Sequence, residues 1–270
     1  LLNTPVPSTS GFTTQFRNVG SLENKGFELV LNYSILKNAD WSISIGGNYA
    51  TNENKILSLN GDETRIGPTG SRFLNAVIVG QPIGSFYGRE YAGANPANGD
   101  ALFFLNRTPT QTEIDNGVAF IVPNGVYGDR YVTRTFNSAE SIVLGNPTPT
   151  GIYGFNANVS YKGIELSVLF QGVTGNKVFD GAGSFMSANG RYEDNSTVDQ
   201  LRRWQNPGDI TDIPQARLYA NNGAQSSSRF LYDGSYLRLK TLTVAYNIPG
   251  AIASKLALTS ARIYVTGQNL

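Results

Sequence analysis

The feature that most constrains this chain is a recurring alternation of apolar and polar residues in two segments, broken on the polar face by Val30 and Leu169. In residues 27–49 one face collects the apolar residues Phe27, Leu29, Leu31, Tyr33, Ile35, Trp41, Ile43, Ile45 and Tyr49. In residues 153–170 it collects Tyr153, Phe155, Ala157, Val159, Tyr161, Ile164, Leu166, Val168 and Phe170. Successive strand residues point to opposite faces of a sheet, so a period of two indicates strands with one apolar face. Short turns at residues 37–40 and 161–163 make each segment a β-hairpin.

Two further strand pairs are predicted. Residues 229–247 pair with residues 261–270 through a turn that begins at Ile248, and residues 72–79 pair with residues 83–91 around Gln81-Pro82. In the long strand of the first pair the apolar phase changes between Leu239 and Leu242. This change predicts a β-bulge there, or an exit of the strand from the apolar layer.

The connections between the predicted strands are unequal in length. Tight turns lie at residues 37–40, 81–82 and 161–163, whereas long connections rich in Gly, Asn and Pro lie at about residues 53–71, 92–147 and 173–228. Short turns at one rim and long loops at the other are typical of a transmembrane β-barrel. Aromatic residues beside the short turns fit an interfacial belt: Tyr33, Trp41, Tyr161 and Tyr246. A soluble β-sandwich with half-buried tyrosines at the strand ends explains the same pattern.

The composition excludes several classes of function. The 270 residues include neither Cys nor His, which removes disulfides, thiol nucleophiles, Cys/His zinc sites and His-dependent triads. The 21 Lys and Arg residues are balanced by 20 Asp and Glu residues, so no long-range field attracts nucleic acid. No apolar run approaches the roughly 18 residues of a membrane-spanning helix. Without a signal peptide, and ending in mid-strand at Leu270, the chain is predicted to be an internal fragment of a longer protein.

A series of short stretches, in this order along the chain, carries a family resemblance. They are Asn18–Glu28 (NVGSLENKGFE), Val79–Gly88 (VGQPIGSFYG), Gly145–Pro149 (GNPTP) before Tyr153–Phe155, Tyr161–Gly163 running into Leu169–Gly172, Arg203–Ile210 (RWQNPGDI), Phe230–Leu242 (FLYDGSYLRLKTL) and Arg262–Asn269 (RIYVTGQN). Together these stretches span the chain and resemble the SusC/RagA family of TonB-dependent outer-membrane transporters.

The resemblance implies an all-β fold, an antiparallel up-and-down transmembrane β-barrel with long extracellular loops. The complete barrel would have on the order of 22 strands around a plugged lumen. Residues 1–270 would be part of the barrel domain and supply about eight of those strands, the first being a strand tail at Leu1-Leu2. The plug domain and the closing strand would lie outside this chain. The loop at residues 94–104 departs from the family form, which leaves the substrate open.

The resemblance also implies a function. The complete protein would import oligosaccharides or other large nutrients, such as peptides, across the outer membrane of a Bacteroidota-type bacterium. A SusD-like surface lipoprotein would cap the loops, and the TonB complex would act through the missing plug domain. Membrane lipid and the glycan or peptide substrate would be the other partners, and nucleic acid would not be one. Neither enzyme activity nor a cofactor is expected.

Two groups of residues are candidates for contact with substrate. In the loops they are Tyr127, Arg130, Tyr192, Arg203 and Trp204, because aromatic faces stack on sugar rings and Arg binds hydroxyls or acidic groups. A structural role for Trp204 and residues 206–209 in fixing a long loop explains that stretch equally simply. On the predicted polar faces the lumen-lining candidates are Glu28, Asn32, Asn48, Asn156, Asn158, Glu165 and Gln171. Solvated lining is the simpler interpretation of these.

Two other functions stay open on the residues alone. A soluble β-rich carbohydrate-binding module would require the apolar faces of both hairpins to pack on one another. A glycan-degrading enzyme would need two carboxylates across a cleft, and no candidate pair stands out. The acidic residues near Glu193 lack the spacing of a metal loop, and Asp209 and Asp212 fit a turn cap better than a cation site. No metal site is therefore predicted.

Overall fold

The computed structural model describes residues 2–18, 20–68, 72–193 and 195–270. Its strands, in chain order, are β1 (Leu2–Pro5), β2 (Thr14–Arg17), β3 (Ser21–Lys37), β4 (Trp41–Ser58), β5 (Arg65–Ile66), β6 (Asn75–Ile78), β7 (Ser85–Arg89), β8 (Tyr91–Ala94), β9 (Ala101–Phe104), β10 (Val132–Thr133), β11 (Ser141–Gly145), β12 (Gly151–Tyr161), β13 (Ile164–Thr174), β14 (Lys177–Phe179), β15 (Leu231–Asp233), β16 (Tyr236–Ile248) and β17 (Ala261–Gln268). The helices are α1 (Gln111–Asp115), α2 (Gly183–Met186) and α3 (Gly250–Ala253). No helix in the described part of the chain is long and apolar enough to cross a membrane.

The chain forms two compact units. The first, here called the sheet unit, contains Asn24–Asn54, Thr148–Asn176 and Gly234–Leu270. The second, here called the loop unit, contains Leu1–Glu23, Lys55–Pro147 and Lys177–Asp233. Each unit is built on its own contacts, and each is described separately below.

The sheet unit is one antiparallel sheet in the order β17-β16-β13-β12-β4-β3. Strands that are neighbours in sequence pair as hairpins, namely β3 with β4, β12 with β13 and β16 with β17. The connection between β3 and β4 is residues 38–40, and that between β12 and β13 is residues 162–163. The three hairpins predicted from the alternation are therefore confirmed, and β12 joins the first two by pairing with β4.

The register places the apolar residues of neighbouring strands on one face. Directly paired residues in an antiparallel sheet share a face. One row across five strands reads Trp41, Tyr161, Ile164, Tyr246 and Ile263, and the row in the middle of the sheet reads Ile45, Ala157, Val168, Leu242 and Gly267. The large side chains of this apolar face stay exposed, up to 74% for Val265.

This arrangement decides against the soluble module. That module required the apolar faces of the two hairpins to pack against each other. Instead the hairpins lie side by side in one sheet, and their apolar faces continue one another. An uncovered apolar face of this size is unfavourable in water and fits a lipid-facing surface.

The predicted irregularity in the long strand is a β-bulge. Leu169 pairs with Thr241 and Phe170 pairs with Leu239, so Lys240 is an extra residue on β16. The extra residue returns Leu239 to the same face as Leu242, which explains the change of apolar phase in the sequence.

The large sheet contains six strands where about eight were expected. The pair around Gln81-Pro82 forms as β6 and β7, but with β5 and β11 it makes a separate four-stranded sheet in the loop unit. Its side chains are buried, as Ala76 and Phe86 show. Likewise β1 pairs only with β2 among the described strands. Alternation predicts that two strands pair, but it does not specify which sheet they join.

The loop unit has hydrophobic cores of its own. Its three-stranded sheet, in the order β10-β9-β8, buries side chains on both faces. Phe103 packs with Ala101, Ala139, Tyr91 and Phe136 on one face. On the other face the cluster contains Leu102, Val122 and Val132. The long connections are therefore folded structure with a water-excluding interior.

Candidate functional site

The face of the sheet opposite the apolar one is polar and hydrogen-bonded across strands. Ser167 Oγ donates to Asn158 Oδ1 at 2.5 Å. Glu165 accepts from Asn247 Nδ2 at 2.6 Å and from Arg262 Nη2 at 2.7 Å. These contacts join β12, β13, β16 and β17 side by side. The face therefore presents amides, hydroxyls and a neutralised carboxylate.

Two glycines let three asparagines approach the backbone of this polar face. A Cβ built on Gly46 would lie 2.5 Å from Asn32 Oδ1 and 2.6 Å from Asn156 Nδ2. A Cβ on Gly154 would lie 2.5 Å from Asn48 Oδ1. Any larger residue at either position would displace these amides. The predicted lumen-lining residues accordingly share the polar face, Glu28 by its even spacing from Asn32 and the others by register: Asn48, Asn156, Asn158, Glu165 and Gln171.

Aromatic residues gather on the apolar face at the end of the sheet that carries the short turns. Trp41 and Tyr161 stack with ring centroids 4.2 Å apart and planes at 30°. Their neighbour Lys162 lies over the Tyr161 ring. Tyr246 belongs to the same row of the register. An apolar ring body with a polar edge suits the boundary between lipid and water.

A cavity of about 620 Å³ opens in the loop unit. Four guanidinium groups line it, those of Arg65, Arg72, Arg89 and Arg191. Its aromatic lining residues are Phe73, Tyr87, Phe136, Phe185 and Tyr192. The lining residues that the structure describes include no Asp or Glu. The volume falls in the range of about 300–1,000 Å³ that is usual for small-molecule sites.

Each guanidinium of the cavity lies over an aromatic ring. The distances from Cζ to the ring centroid are 4.6 Å for Arg65 over Tyr87, 5.2 Å for Arg72 over Phe185, 4.3 Å for Arg89 over Phe136 and 5.1 Å for Arg191 over Tyr192. Tyr192 also stacks on Phe185 at 5.4 Å. Stacking fixes the orientation of a guanidinium while leaving its in-plane N–H groups free to donate.

Arg89 is partly desolvated in the cavity wall. Its Nε is buried and has no hydrogen-bond partner. Burial lowers the pKa of Arg89, and the nearby Tyr87 partly offsets this effect. None of the four cavity arginines forms an ion pair with a carboxylate in the described part of the chain. The cavity thus holds positive charge that the described residues do not neutralise.

Comparison with known proteins assigns this architecture. No protein-family model matches the chain. The chain is 33% identical to TonB-dependent receptor P3 of Formosa agariphila, over 98% of this chain and 26% of the receptor. It is 22% identical to TonB-dependent receptor SusC of Bacteroides thetaiotaomicron, over 100% of this chain and 25% of SusC. The solved structure of the RagAB peptide transporter covers 99% of this chain and 27% of its own chain, with a TM-score of 0.78 at 25% identity.

The chain is homologous to part of the SusC/RagA-type TonB-dependent receptors. The resemblance seen in the sequence motifs is thereby confirmed, as is the prediction of an antiparallel barrel segment. The chain spans about a quarter of the length of these relatives. The names of these relatives describe receptors and transporters, not enzymes.

Trp204 lies inside the loop unit of this SusC-like segment. Its side chain is 5% exposed, and Nε1 donates to the carbonyl oxygen of Pro96 at 3.0 Å. A Cβ on Gly99 would lie 2.6 Å from the indole ring, so only glycine leaves room for it. Asp209 accepts from the backbone N–H groups of Gln205 and Asn206, which lower its pKa. The geometry therefore fits the interpretation that Trp204 and Asp209 fix the fold of the long loop.

Tyr127 and Arg130 are also engaged within the loop unit. Tyr127 donates its hydroxyl to the carbonyl oxygen of Ala94 at 2.5 Å, and burial raises the pKa of Tyr127 to about 12. Arg130 forms a two-pronged ion pair with Glu90, at 2.5 and 3.1 Å, and lies 3.5 Å over the ring of Phe104. Their polar groups are committed to holding the loop together.

The two remaining loop candidates are more available. Tyr192 lines the arginine-rich cavity. Arg203 is half-buried, donates to the carbonyl oxygen of Gln200 at 3.3 Å and lines a separate hollow of about 390 Å³. The sequence analysis did not identify Arg65, Arg72 and Arg89 as candidates, because they lie far from Arg191 along the chain. A local signal existed only in the Arg-aromatic dipeptides Arg72-Phe73 and Arg191-Tyr192.

Buried polar side chains tie the loop segments of the SusC-like chain together. Asn222 donates to the carbonyl oxygens of Gly99 and Gln215, both at 2.9 Å, and its Oδ1 accepts from the N–H of Ala101 at 2.8 Å. Arg229 donates to three acceptors, the carbonyl oxygens of Gly223 and Ser187 and Asn189 Oδ1. Burial lowers the pKa of Arg229. Satisfied networks of this kind rigidify a structure.

No group of three or more Asp or Glu side chains that could hold an ion occurs in residues 2–18, 20–68, 72–193 and 195–270.

Proposed function

We propose that this chain forms part of the barrel wall, and the loops attached to it, in an outer-membrane importer of the SusC type. The observation that carries the proposal is the two-faced sheet, whose exposed apolar face and hydrogen-bonded polar face suit lipid on one side and a wet lumen on the other. The homology with TonB-dependent receptors supports the same function.

The sheet needs further strands to function in a membrane. Its edges are β3 and β17, whose outward backbone groups have no strand partner in the described sheet. In lipid each such group must be paired, which only a closed barrel achieves for strands. We propose that residues 1–270 belong to the barrel domain and that the rest of a longer protein supplies the other strands and the plug.

The proposed transport cycle uses partners outside this chain. A SusD-like surface lipoprotein would close over the loops, and TonB would act on the plug domain. The importer would lie in the outer membrane of a Bacteroidota-type bacterium and carry oligosaccharides or other large nutrients such as peptides. It would bind its substrate without chemical change and without a cofactor. RagAB, which a solved structure describes as a peptide transporter, illustrates one cargo class.

Roles for individual residues follow from their positions. We propose that the polar face contacts the plug or passing solute through side chains such as Asn32, Asn48 and Asn156. Tyr192 and Arg203 would contact substrate, because they are only half-buried and line hollows of the loop unit. Trp204 would hold the loop fold from inside, because its indole is packed and bonded.

The test is uptake by cells that express the full-length protein with the lipoprotein encoded beside it. Cells receive fluorescent oligosaccharides, and the signal in the periplasm is measured with and without dissipation of the proton gradient. Uptake that requires both the protein and the gradient supports the proposal. Recovery of the full-length protein in the soluble fraction, with glycan binding but no gradient-dependent uptake, would establish the carbohydrate-binding module instead.

A further inference from the structure

We infer that the arginine-lined cavity of the loop unit binds an acidic oligosaccharide, whose carboxylate or sulfate groups pair with the guanidiniums. The inference rests on the proposed import function and names the chemical class of its cargo. Its basis is the charge, the orientation and the hydrogen-bonding capacity of the cavity lining.

The charge of the cavity is not a reflection of the whole chain. The chain as a whole carries a net charge of +1. The cavity brings together Arg65, Arg72, Arg89 and Arg191 and no acidic residue that the structure describes. Several other arginines of the loop unit do pair with carboxylates, as Arg107 does with Glu113 and Arg217 does with Asp100. A concentration of cations around one hollow, without carboxylate partners among the described residues, attracts anions.

The orientation of the guanidiniums suits oxyanions that present two oxygens side by side. Each is stacked at 4.3–5.2 Å over a ring, which covers one flat face. Arg65 also donates to the carbonyl oxygen of Gly67, so the N–H edges left for a ligand are those of Arg72, Arg89 and Arg191. Carboxylates and sulfates accept two parallel hydrogen bonds from such an edge. The buried, unpartnered Nε of Arg89 supplies a donor that gains a partner when an oxyanion enters.

The remaining lining favours a sugar over a simple anion. Gln225 Oε1 is buried without a hydrogen-bond partner, so it requires a donor, which a hydroxyl group provides and an oxyanion does not. Asn137 and Ser141 add groups that donate and accept. Phe73 is 62% exposed beside the cavity and offers a ring face on which a pyranose can stack. An acidic oligosaccharide combines oxyanions, hydroxyls and an apolar ring face.

The experiment measures binding to the purified full-length protein by isothermal titration calorimetry. The probes are tetragalacturonate, a sulfated maltotetraose, neutral maltotetraose and tetraglutamate. The variants are Arg72→Gln and Arg89→Gln, with Arg17→Gln as the matched control on an exposed strand outside the cavity. Arg89→Lys tests whether the bidentate N–H groups of the guanidinium are needed, since lysine keeps the positive charge without them.

An acidic tetrasaccharide is expected to bind at least about tenfold more tightly than maltotetraose, and each cavity Arg→Gln change to weaken it by about tenfold. Arg17→Gln should leave binding unchanged, and Arg89→Lys should recover only part of the loss. Binding should weaken as salt rises from about 0.05 M to about 0.5 M. Whichever acidic probe binds more tightly, tetragalacturonate or the sulfated maltotetraose, shows whether the cavity prefers a carboxylate or a sulfate.

Equal binding of acidic and neutral sugars, or preference for tetraglutamate, would overturn the inference. So would acidic binding that survives Arg72→Gln and Arg89→Gln together. Uptake in the same cells separates this result from the import function. Gradient-dependent uptake of neutral sugars without acidic binding would refute only the cavity ligand, whereas acidic binding without uptake would refute only the import function.

Discussion

The sheet unit and the loop unit place their apolar side chains in opposite ways. In the sheet unit Val244 and Val265 are exposed in the middle of strands, and Ile164 is exposed at the start of β13. In the loop unit Phe103 and Phe230 are almost fully buried, each 1% exposed. Among the buried hydrophobic residues that the structure describes, only Ala245 and Ala253 belong to the sheet unit. The contrast indicates that one chain is adapted to two solvents, lipid for the sheet and water for the loops.

Polar groups show the same contrast in reverse. On the sheet, polar side chains remain accessible and bond in cross-strand pairs, as Ser167 does with Asn158. In the loop unit Asn222 is buried and makes three hydrogen bonds. A wet polar surface needs few fixed partners because water supplies them, whereas buried polar groups need complete pairing.

The largest effect is expected from a charge on the apolar face of the sheet. Val168→Arg places a guanidinium in the middle row of that face. At the bilayer midplane an outward-facing Arg costs about 2–4 kcal/mol. The full-length variant should assemble poorly, measured as loss of the heat-modifiable folded band in outer-membrane fractions.

The control for this prediction is Thr241→Arg. Thr241 lies on the polar face of β16, paired with Leu169. Assembly should change little, because the new cation meets water. If the two variants assemble equally well, the sheet does not separate lipid from water. The claim that the sheet unit and the loop unit are adapted to different solvents would then be wrong.

The next largest effect is expected in the loop unit from Arg229→Met. The change leaves three acceptors without a donor, the carbonyl oxygens of Gly223 and Ser187 and Asn189 Oδ1. We expect a loss of about 2–3 kcal/mol, because buried unpaired acceptors are costly. Limited proteolysis of the full-length protein should show faster cleavage in residues 177–233. In contrast, Arg202→Met, which removes only an exposed pair with Asp212 at 3.5 Å, should be nearly neutral.

A smaller effect is expected from Trp204→Phe. The ring remains, but the hydrogen bond to the carbonyl oxygen of Pro96 is lost, at a cost of about 1 kcal/mol. Stability of the loop unit, followed by thermal unfolding, should fall slightly while affinity for sugar probes stays the same. A fall in affinity at unchanged stability would show that Trp204 contacts ligand and would contradict its place in the loop interior.

The smallest effect is expected when the pH is lowered and the loop around α1 loses stability. Glu113 accepts from Arg107 and from the N–H of Thr110, and these contacts hold its pKa at about 2. Because the pKa is below its ordinary value of about 4.3, the carboxylate stabilises the folded loop above that pH, and the stabilisation is lost as pH falls toward about 2. Pepsin cleavage of residues 107–118 should accelerate over this range, whereas Glu113→Gln should cleave with little dependence on pH.

The sheet could be predicted from the sequence because its information is local. Each hairpin carries its own alternation, and even the bulge at Lys240 is visible as a change of phase between Leu239 and Leu242. Short turns fix the register of the strands that they join. The two faces of the sheet, and the predicted lumen-lining residues on one of them, follow directly.

The loop unit could not be predicted in the same way because its contacts are distant in sequence. The pair β6 and β7 was predicted, yet its membership in a separate sheet depends on β11, more than 50 residues later. The cavity is a stronger case, since Arg65 and Arg191 come from different segments. The net charge of +1 argued only against a long-range field, and averaging over the chain conceals a local concentration of cations.

The two tryptophans of the chain give each unit its own optical reporter. Trp41 lies on the apolar face of the sheet against Tyr161, and Trp204 lies in the interior of the loop unit. Brominated lipids should therefore quench the fluorescence of Trp41 and leave that of Trp204, whereas denaturant should red-shift Trp204 as the loops open. Single Trp→Phe variants would allow membrane insertion and loop folding to be timed separately in one protein.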